Sequence, residues 1–467
     1  MPRLAALLLS IAAACPPGAE AAETRRPPNV IVIVADDLGY ADVGFNGSTE
    51  IPTPALDGLA AGGVRFTNGY VTFPVCSPSR AGLITGRHQQ RFGHERNPIY
   101  NPRDDTMGLP LGEKTMADVL SAAGYTSCAI GKWHLGAHEV FHPLARGFDE
   151  FFGFLSGGHE YFPDKWTLDG GGFHWQGYQT KLLRNRTRVE ETEYLTDALS
   201  REAAAYVRRQ RDTPFFLYLC YNAPHTPMQA PAEAKARFRH IANKKRRTYA
   251  AMVSVMDTGI GRVLDAVSEA GQGEHTLVFF LSDNGGPTAN ASDNGELRGH
   301  KGDVYEGGLR VPFVASWPGV LPAGLRYDQP VSSLDIFATA ATQAGAVPHV
   351  PAGKPLDGVD LVPFLTGQNQ GPPHDALFWR SGDKGAMAVR VGKDKLLQPH
   401  ESAGAELYDL ETDLSEGVDQ AVNQQGRAAS LRQRWEQWNR EMIEPVFLGL
   451  RHIKEYRERL RRDGQTD

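Results

Sequence analysis

The sequence predicts an α/β fold: a large domain with a mostly parallel central sheet between helices, then a smaller C-terminal α+β domain with an antiparallel sheet. Three observations predict it. Four short runs, at 29–35, 125–130, 214–221 and 276–281, are continuously apolar, as strands covered on both faces are. Segments of helical spacing separate these runs. Beyond residues 367–373 the composition changes, and residues 376–397 alternate apolar and polar in the manner of antiparallel strands.

Residues 29–35 (Asn-Val-Ile-Val-Ile-Val-Ala) form the first strand, which stops abruptly at Asp36-Asp37-Leu38-Gly39. Residues 54–62 read as a helix with Leu56 and Leu59 inward. A second helix starts at Ser77, as cap, with Pro78 in the first helical position and Gly86 as its stop. Residues 115–124 read as an amphipathic helix closed by glycine, and the strand 125–130 then runs into Gly131-Lys132-Trp133-His134. A helix over 192–209 precedes the strand 214–221, which ends in Asn222-Ala223-Pro224-His225. The long helix 248–270 carries Met252, Val255, Met256, Ile260, Val263 and Leu264 at helical spacing, so its methionines belong to the core. The strand 276–281 ends in Ser282-Asp283-Asn284-Gly285. Strands within 376–397 and at 407–410, and helices at 427–441 and 455–462, make up the second domain, residues 374–467; the catalytic domain is residues 22–373.

Ligands of open α/β sheets bind beyond the carboxyl ends of the strands. That rule gathers Asp36 and Asp37, Lys132 and His134, His225, and Asp283 and Asn284 around one crevice. Asp36, Asp37, Asp283 and Asn284 offer only oxygen, a donor set suited to Ca²⁺ or Mg²⁺ and not to zinc. Cys76 lies just before a helix start, where free N–H groups and the helix dipole favour an anion, and Arg80 is one turn further in. Such a cysteine is either a buried structural thiol or a nucleophile of lowered pKa.

Chain-wide properties narrow the class. The 467 residues are enough for about two or three domains. With 41% hydrophobic and 22% charged residues the composition is that of a globular protein, and a net charge of −6 gives no sign of a nucleic-acid partner. Residues 1–21 read as an export signal: Arg3, an apolar stretch over 4–14 too short to span a bilayer, and the small-x-small site Ala19-Glu20-Ala21. The expected location is periplasmic or extracellular, with a lipid anchor at Cys15 as the less favoured alternative because Ala12 replaces the usual leucine. No later segment reads as transmembrane. Cys128 and Cys220 fall inside buried runs and read as free thiols, a disulfide between them being the alternative. Asn46, Asn185 and Asn290 stand in glycosylation sequons.

Two stretches carry a family resemblance. Cys76-Ser77-Pro78-Ser79-Arg80 followed by Leu83-Ile84-Thr85-Gly86 resembles the signature of the type I, formylglycine-dependent sulfatases, and residues 124–134 resemble that family's second signature. The resemblance is close over residues 29–308. It weakens beyond, where Glu406-Leu407-Tyr408-Asp409-Leu410 is similar to the family's usual run but Leu414 stands where proline is common. It implies an alkaline-phosphatase-like large domain and sulfuric ester hydrolysis. It also implies that a formylglycine-generating enzyme oxidises Cys76, and that one Ca²⁺ (or Mg²⁺) sits among Asp36, Asp37, Asp283, Asn284 and residue 76. The hydrated aldehyde would then attack sulfur, and its second hydroxyl would let sulfate leave. In the roles the resemblance implies, Arg80 stabilises the hydrate, His134 takes the proton during elimination, and Lys132 and Lys301 hold sulfate oxygens. His225 protonates the leaving oxygen, and Ser156 adds a hydroxyl on a looser match.

For substrate, residues 156–178 combine glycines with His159, Tyr161, Trp166 and Trp175, a loop that either stacks on sugar rings or packs on itself. Residues 87–95, ending in Glu95, resemble a stretch of sulfatases acting on glycosaminoglycans and sulfated galactans, which makes a sulfated saccharide the expected substrate. The competing readings are an arylsulfatase, or a phosphonate monoester or phosphodiester hydrolase on the same fold. A non-catalytic glycan binder is disfavoured, because binding alone does not need Arg80, Lys132, His134, His225 and Lys301 together.

Overall fold

The computed structural model describes residues 26–210 and 212–462; the expected export signal and Cys15 lie outside the described residues. A ten-stranded sheet runs through the molecule. Its centre is Thr276–Ser282, Asn29–Ala35, Phe215–Cys220, Thr126–Lys132 and Glu150–Phe154, each parallel to the next. On one side Phe313–Ser316 adds antiparallel to Thr276–Ser282, followed by Val64–Phe66 and Leu325–Tyr327. On the other, Leu183–Arg184 and Thr187–Arg188 close the sheet as antiparallel strands.

The central strands are apolar on both faces because both are covered. In Asn29–Ala35, Ile31, Ile33 and Ala35 join one hydrophobic cluster, and Val30, Val32 and Val34 join the cluster on the opposite face. Phe215, Leu217 and Leu219 alternate with Phe216, Tyr218 and Cys220 in the same way. The helices Leu195–Arg209 and Lys244–Glu269 cover the first face, and Met116–Ala122 and Asp335–Gln343 the second. Met252 and Met256 are fully buried in that first core.

Several boundaries differ from expectation for physical reasons. The helix expected from Ser77 is Cys76–Thr85, with Val75 as its N-cap. Ser77 is not a cap: its hydroxyl donates to the His134 carbonyl at 2.6 Å and meets His94 Nε2 at 2.7 Å. The long helix begins at Lys244, not 248, because the Asn243 side chain caps it by accepting from the Lys245 and Arg246 amides at 2.9 and 3.1 Å. Cys128 and Cys220 are buried free thiols. Asn290 is fully buried and donates to the Asp37 and Pro224 carbonyls, so in the folded chain it is no glycosylation acceptor.

Leu377–Ser381, Ala386–Val391, Asp394–Gln398 and Glu406–Asp409 form a separate antiparallel sheet. One face packs Trp379, Ala388, Leu397 and Tyr408 on Tyr70, Val304 and Leu309 of the large domain. The other packs Val389, Leu396 and Leu407 on Leu431 of the helix Gln425–Asn439. The helix Ile453–Arg462 then returns, setting Tyr456 and Leu460 against Ile99 and Met107.

Candidate active site

The chain brings the strand-end residues together. Asp36 and Asp37 follow Asn29–Ala35, Lys132 is the last residue of Thr126–Lys132, and Asp283 follows Thr276–Ser282. Cys76, in the first turn of a helix whose ten residues are all buried, points its sulfur at the aspartates: Sγ is 3.5 Å from Asp36 Oδ1 and 3.9 Å from Asp37 Oδ1. Lys301 Nζ lies 3.1 Å from that sulfur and 2.6 Å from Asp37 Oδ1. Lys132 Nζ is 2.6 Å from Asp36 Oδ2. Arg80 turns its guanidinium to Asp283 Oδ2 at 2.8 Å and to the Lys132 carbonyl at 3.3 Å.

The backbone is specialised here. Among the described residues five non-glycine positions have positive φ, and two belong to the site: Asp37 at 67° and His134 at 58°. That region costs about 1–3 kcal/mol for such residues and persists only where surrounding contacts impose it. The Ser77 hydroxyl and the Asn290 amide hold the carbonyls of His134 and Asp37 in place. Gly131 is required one residue before Lys132, since a Cβ there would come within 1.9 Å of the Cys220 carbonyl oxygen. Gly157 leaves room over the imidazole, since its Cβ would lie 2.5 Å from His134 Nε2.

Asp36, Asp37, Cys76 and His225 each offer a ligand atom, all within 4.8 Å of one another. Asn284 donates to Asp37 Oδ1 at 2.7 Å, while its own Oδ1 is buried and without a partner among the described residues. The two carboxylates of this cluster, with Asp283 adjoining through the Asp37 amide at 3.3 Å and the orphaned Asn284 oxygen, fit a hard divalent cation. Two lysine ammoniums rest on the same carboxylates, as positive charge at such a cluster must.

Electrostatics separate the groups. Burial works against the Asp36 carboxylate, but Lys132, then His225, Arg80 and Lys301, hold its pKa well below the usual range. Burial, reinforced by the nearby Asp36, pushes Asp283 up to about 6. Burial likewise pushes the Cys76 thiol up to about 12, so an unmodified thiol here is a poor nucleophile. His134 is buried, neither ring nitrogen has a partner among the described residues, and burial with the charges of Lys132 and Arg80 keeps it neutral. His225 is also lowered by burial, with Asp36 and Asp37 opposing; its Nδ1 meets the Thr226 carbonyl at 2.6 Å and its Nε2 lies 3.6 Å from Asp37 Oδ2.

The expected substrate contacts divide. Trp175 is 47% exposed. His159 and Trp166 are buried instead: the His159 ring nitrogens meet the Glu160 and Thr180 carbonyls, and Trp166 Nε1 donates to the Glu160 carbonyl at 2.8 Å. The loop is packed on itself at these positions. Ser156 is buried and donates to the Gly158 carbonyl at 2.8 Å. Glu95 is tied to Arg380 but lines a cleft of about 340 Å³ that opens beside Lys301. The sequence reading missed Ser77 and Asn290 as positioning residues; the only signal for them was their nearness to Cys76 and Asn284.

Comparison with known proteins agrees with this geometry. Residues 28–346 match the family model described as Sulfatase. The chain is 35% identical to mouse (Mus musculus) N-acetylgalactosamine-6-sulfatase over 401 residues, covering 81% of this chain and 73% of that protein. It is 38% identical to human (Homo sapiens) arylsulfatase A over 399 residues, covering 79% and 74%. Among solved structures it resembles Ps i-CgsB in complex with k-i-k-neocarrahexaose, with TM-score 0.86 and 39% identity over 94% of this chain and 98% of that one. The phosphonate monoester hydrolase of Agrobacterium radiobacter shares the fold, with TM-score 0.62 at 22% identity over 88% of this chain and 95% of that one. With this alkaline-phosphatase-like fold, this cluster and these relatives, the chain belongs to the type I sulfatase family and is a sulfuric ester hydrolase.

Proposed function

We propose that the protein removes sulfate from a sulfated saccharide of the glycosaminoglycan or sulfated galactan type, using formylglycine at position 76 and one Ca²⁺. The observation that carries this is the 39% identity, over nearly the whole chain, to a structure holding a carrageenan hexasaccharide. The cleft beside Lys301, lined also by Asn97, Asp383, Lys384 and Arg451, supports it by offering room for sugar beyond the sulfate.

Asp36, Asp37, Asp283 and Asn284 would hold the cation, which supplies Lewis acidity toward the sulfate ester. Residue 76 would be the formylglycine, whose hydrate would offer one hydroxyl for attack on sulfur and a second to release the sulfate. In the folded chain Cys76 is 1% exposed, so the formylglycine-generating enzyme has to act before the chain closes over it.

The chain's own groups do the rest. Lys132 and Lys301 are fixed cations at the sulfate position and stabilise charge that grows on its oxygens. Arg80 neutralises Asp283 and keeps it in place. Neutral His134, with free ring nitrogens, accepts the hydroxyl proton that must leave before sulfate is expelled. His225, its Nδ1–H fixed on the Thr226 carbonyl, presents Nε2 to the leaving oxygen; in the imidazolium form, which Asp36 and Asp37 favour against burial, it delivers the Nε2 proton there.

The test is a sulfate-release screen over defined sulfated oligosaccharides, nitrophenyl sulfate and a phosphonate monoester. Efficient release from a saccharide is the expected result. Inert saccharides beside a rapidly cleaved aryl sulfate or phosphonate ester would contradict it.

A further inference from the structure

Seven lysines and arginines and one histidine lie between Lys235 and Arg247, and no Asp or Glu occurs from residue 234 to 256, in a chain of net charge −6. The segment spans the second half of the helix Ala232–Arg237, a short connection and the first turn of Lys244–Glu269. Arg237, Arg239, Lys244 and Lys245 are exposed. Among the described residues Arg246 pairs with Asp42 and Glu50, at 2.6 and 2.7 Å, while Lys235, Arg237, Arg239, Lys244 and Lys245 make no ion pair. Lys235, Arg239, Lys244 and Arg247 line an open cleft of about 380 Å³.

Fold stability does not call for this arrangement. A helix N-terminus favours negative charge, yet the first turn of Lys244–Glu269 holds no acid. Asn243 already caps that helix through its side chain, so the cations are not needed to start it. They repel one another and the helix dipole, a cost that an anionic partner would remove.

The patch is tied to loops that leave the active site. Arg246 donates to the Ala291 carbonyl at 3.1 Å, and Tyr249 donates to Asp42 at 2.6 Å while accepting from the Gly39 amide at 3.1 Å. The first turns of the helix are thereby fastened to the loops that follow Asp37 and Asp283. The other helix, Ala232–Arg237, begins shortly after His225.

We infer that this cationic rim is an exosite for a polyanionic polysaccharide, which grips a sulfated polymer away from the ester being cleaved. The inference rests on the saccharide reading above. A polymer with repeated sulfates reaches both places, whereas a short ester reaches only the catalytic centre. The attraction is electrostatic and falls with ionic strength.

The test compares the full-length wild type with Lys235→Glu/Arg239→Glu/Lys244→Glu on immobilised dextran sulfate and on polymeric carrageenan. The variant is expected to elute at lower salt and to bind about tenfold or more weakly. Its kcat/KM on the polymer should fall, with that on nitrophenyl sulfate and a short oligosaccharide unchanged. Lys244→Glu alone should keep or raise the Tm, because an acid then stands at the helix start; this separates lost binding from lost folding. Wild-type elution of a folded triple variant would overturn the exosite, as would tighter wild-type retention on single-stranded DNA or anionic vesicles than on the sulfated polymers. Retention on dextran sulfate is read without turnover, so it stands apart from a failure to release sulfate from any saccharide.

Discussion

Lys132 Nζ lies 2.6 Å from Asp36 Oδ2, and neither side chain has exposed surface. Removing one member of a buried pair strands the other charge, typically at about 3–5 kcal/mol. Lys132→Met should therefore destabilise the metal-free protein by about that amount. Saturating Ca²⁺ should recover part of the loss, since Asp36 then has another cation. Denaturant unfolding with and without Ca²⁺ measures both, and an equal loss under the two conditions would remove Asp36 from the metal site.

His225 faces the cluster through Nε2 with its Nδ1 fixed on the Thr226 carbonyl. As a general acid it matters most where the alkoxide leaves poorly. His225→Ala should lower kcat/KM about 10²–10⁴-fold on an alkyl sulfate and far less on nitrophenyl sulfate. Equal losses on the two substrates would assign it to binding or structure.

Trp175 and Trp166 share a loop but not an environment. Trp175→Ala should reduce saccharide turnover and leave aryl sulfate turnover and Tm unchanged, because that side chain is exposed. Trp166→Ala removes a buried indole that hydrogen-bonds the Glu160 carbonyl, and should cost about 3–5 kcal/mol of stability. Thermal unfolding beside kcat/KM on both substrates separates them. A Tm loss in Trp175→Ala, or none in Trp166→Ala, would contradict this division.

His374 Nε2 lies 2.9 Å from both Asp335 oxygens. Burial disfavours its charged form, but Asp335 more than offsets this and raises its pKa above the ordinary value of 6.5. A raised folded-state pKa gives stability that is complete below the unfolded value and fades as pH rises through the folded one. Wild type should exceed His374→Leu by about 1.5–3 kcal/mol near pH 5.5 and by less near pH 9. Denaturant unfolding at both values reads the gap; a gap that widens with pH would reverse the assignment.

Much of the fold could be read from local pattern because the central strands are buried on both faces. The β-branched run Val30 to Val34 points to a covered strand, and Asp-Asp and Asp-Asn pairs at two strand ends beside Cys76 point together to a site. Phe313–Ser316 was not legible, since a four-residue strand behind Pro312 carries too little period. Residues 244–247 were missed as helix because four charges in a row show no apolar stripe. In the site, strand ends marked Asp36, Lys132 and Asp283. Ser77 and Asn290 act by long-range contacts, to His134 and Asp37, that no spacing encodes. His159 and Trp166 looked like sugar contacts because a glycine-rich aromatic loop has the same composition whether it is open or packed on itself.

In the proposed function residue 76 acts as an aldehyde hydrate and not as a thiol. Burial, with Asp283 and Asp36 nearby, raises the Cys76 pKa and keeps an unmodified thiol protonated at neutral pH. Peptide mass spectrometry of the tryptic fragment 66–80 from active enzyme measures this most directly. The account predicts formylglycine or its hydrate at position 76, in a fraction that tracks specific activity across preparations. Fully active protein carrying only unmodified Cys76 would contradict it.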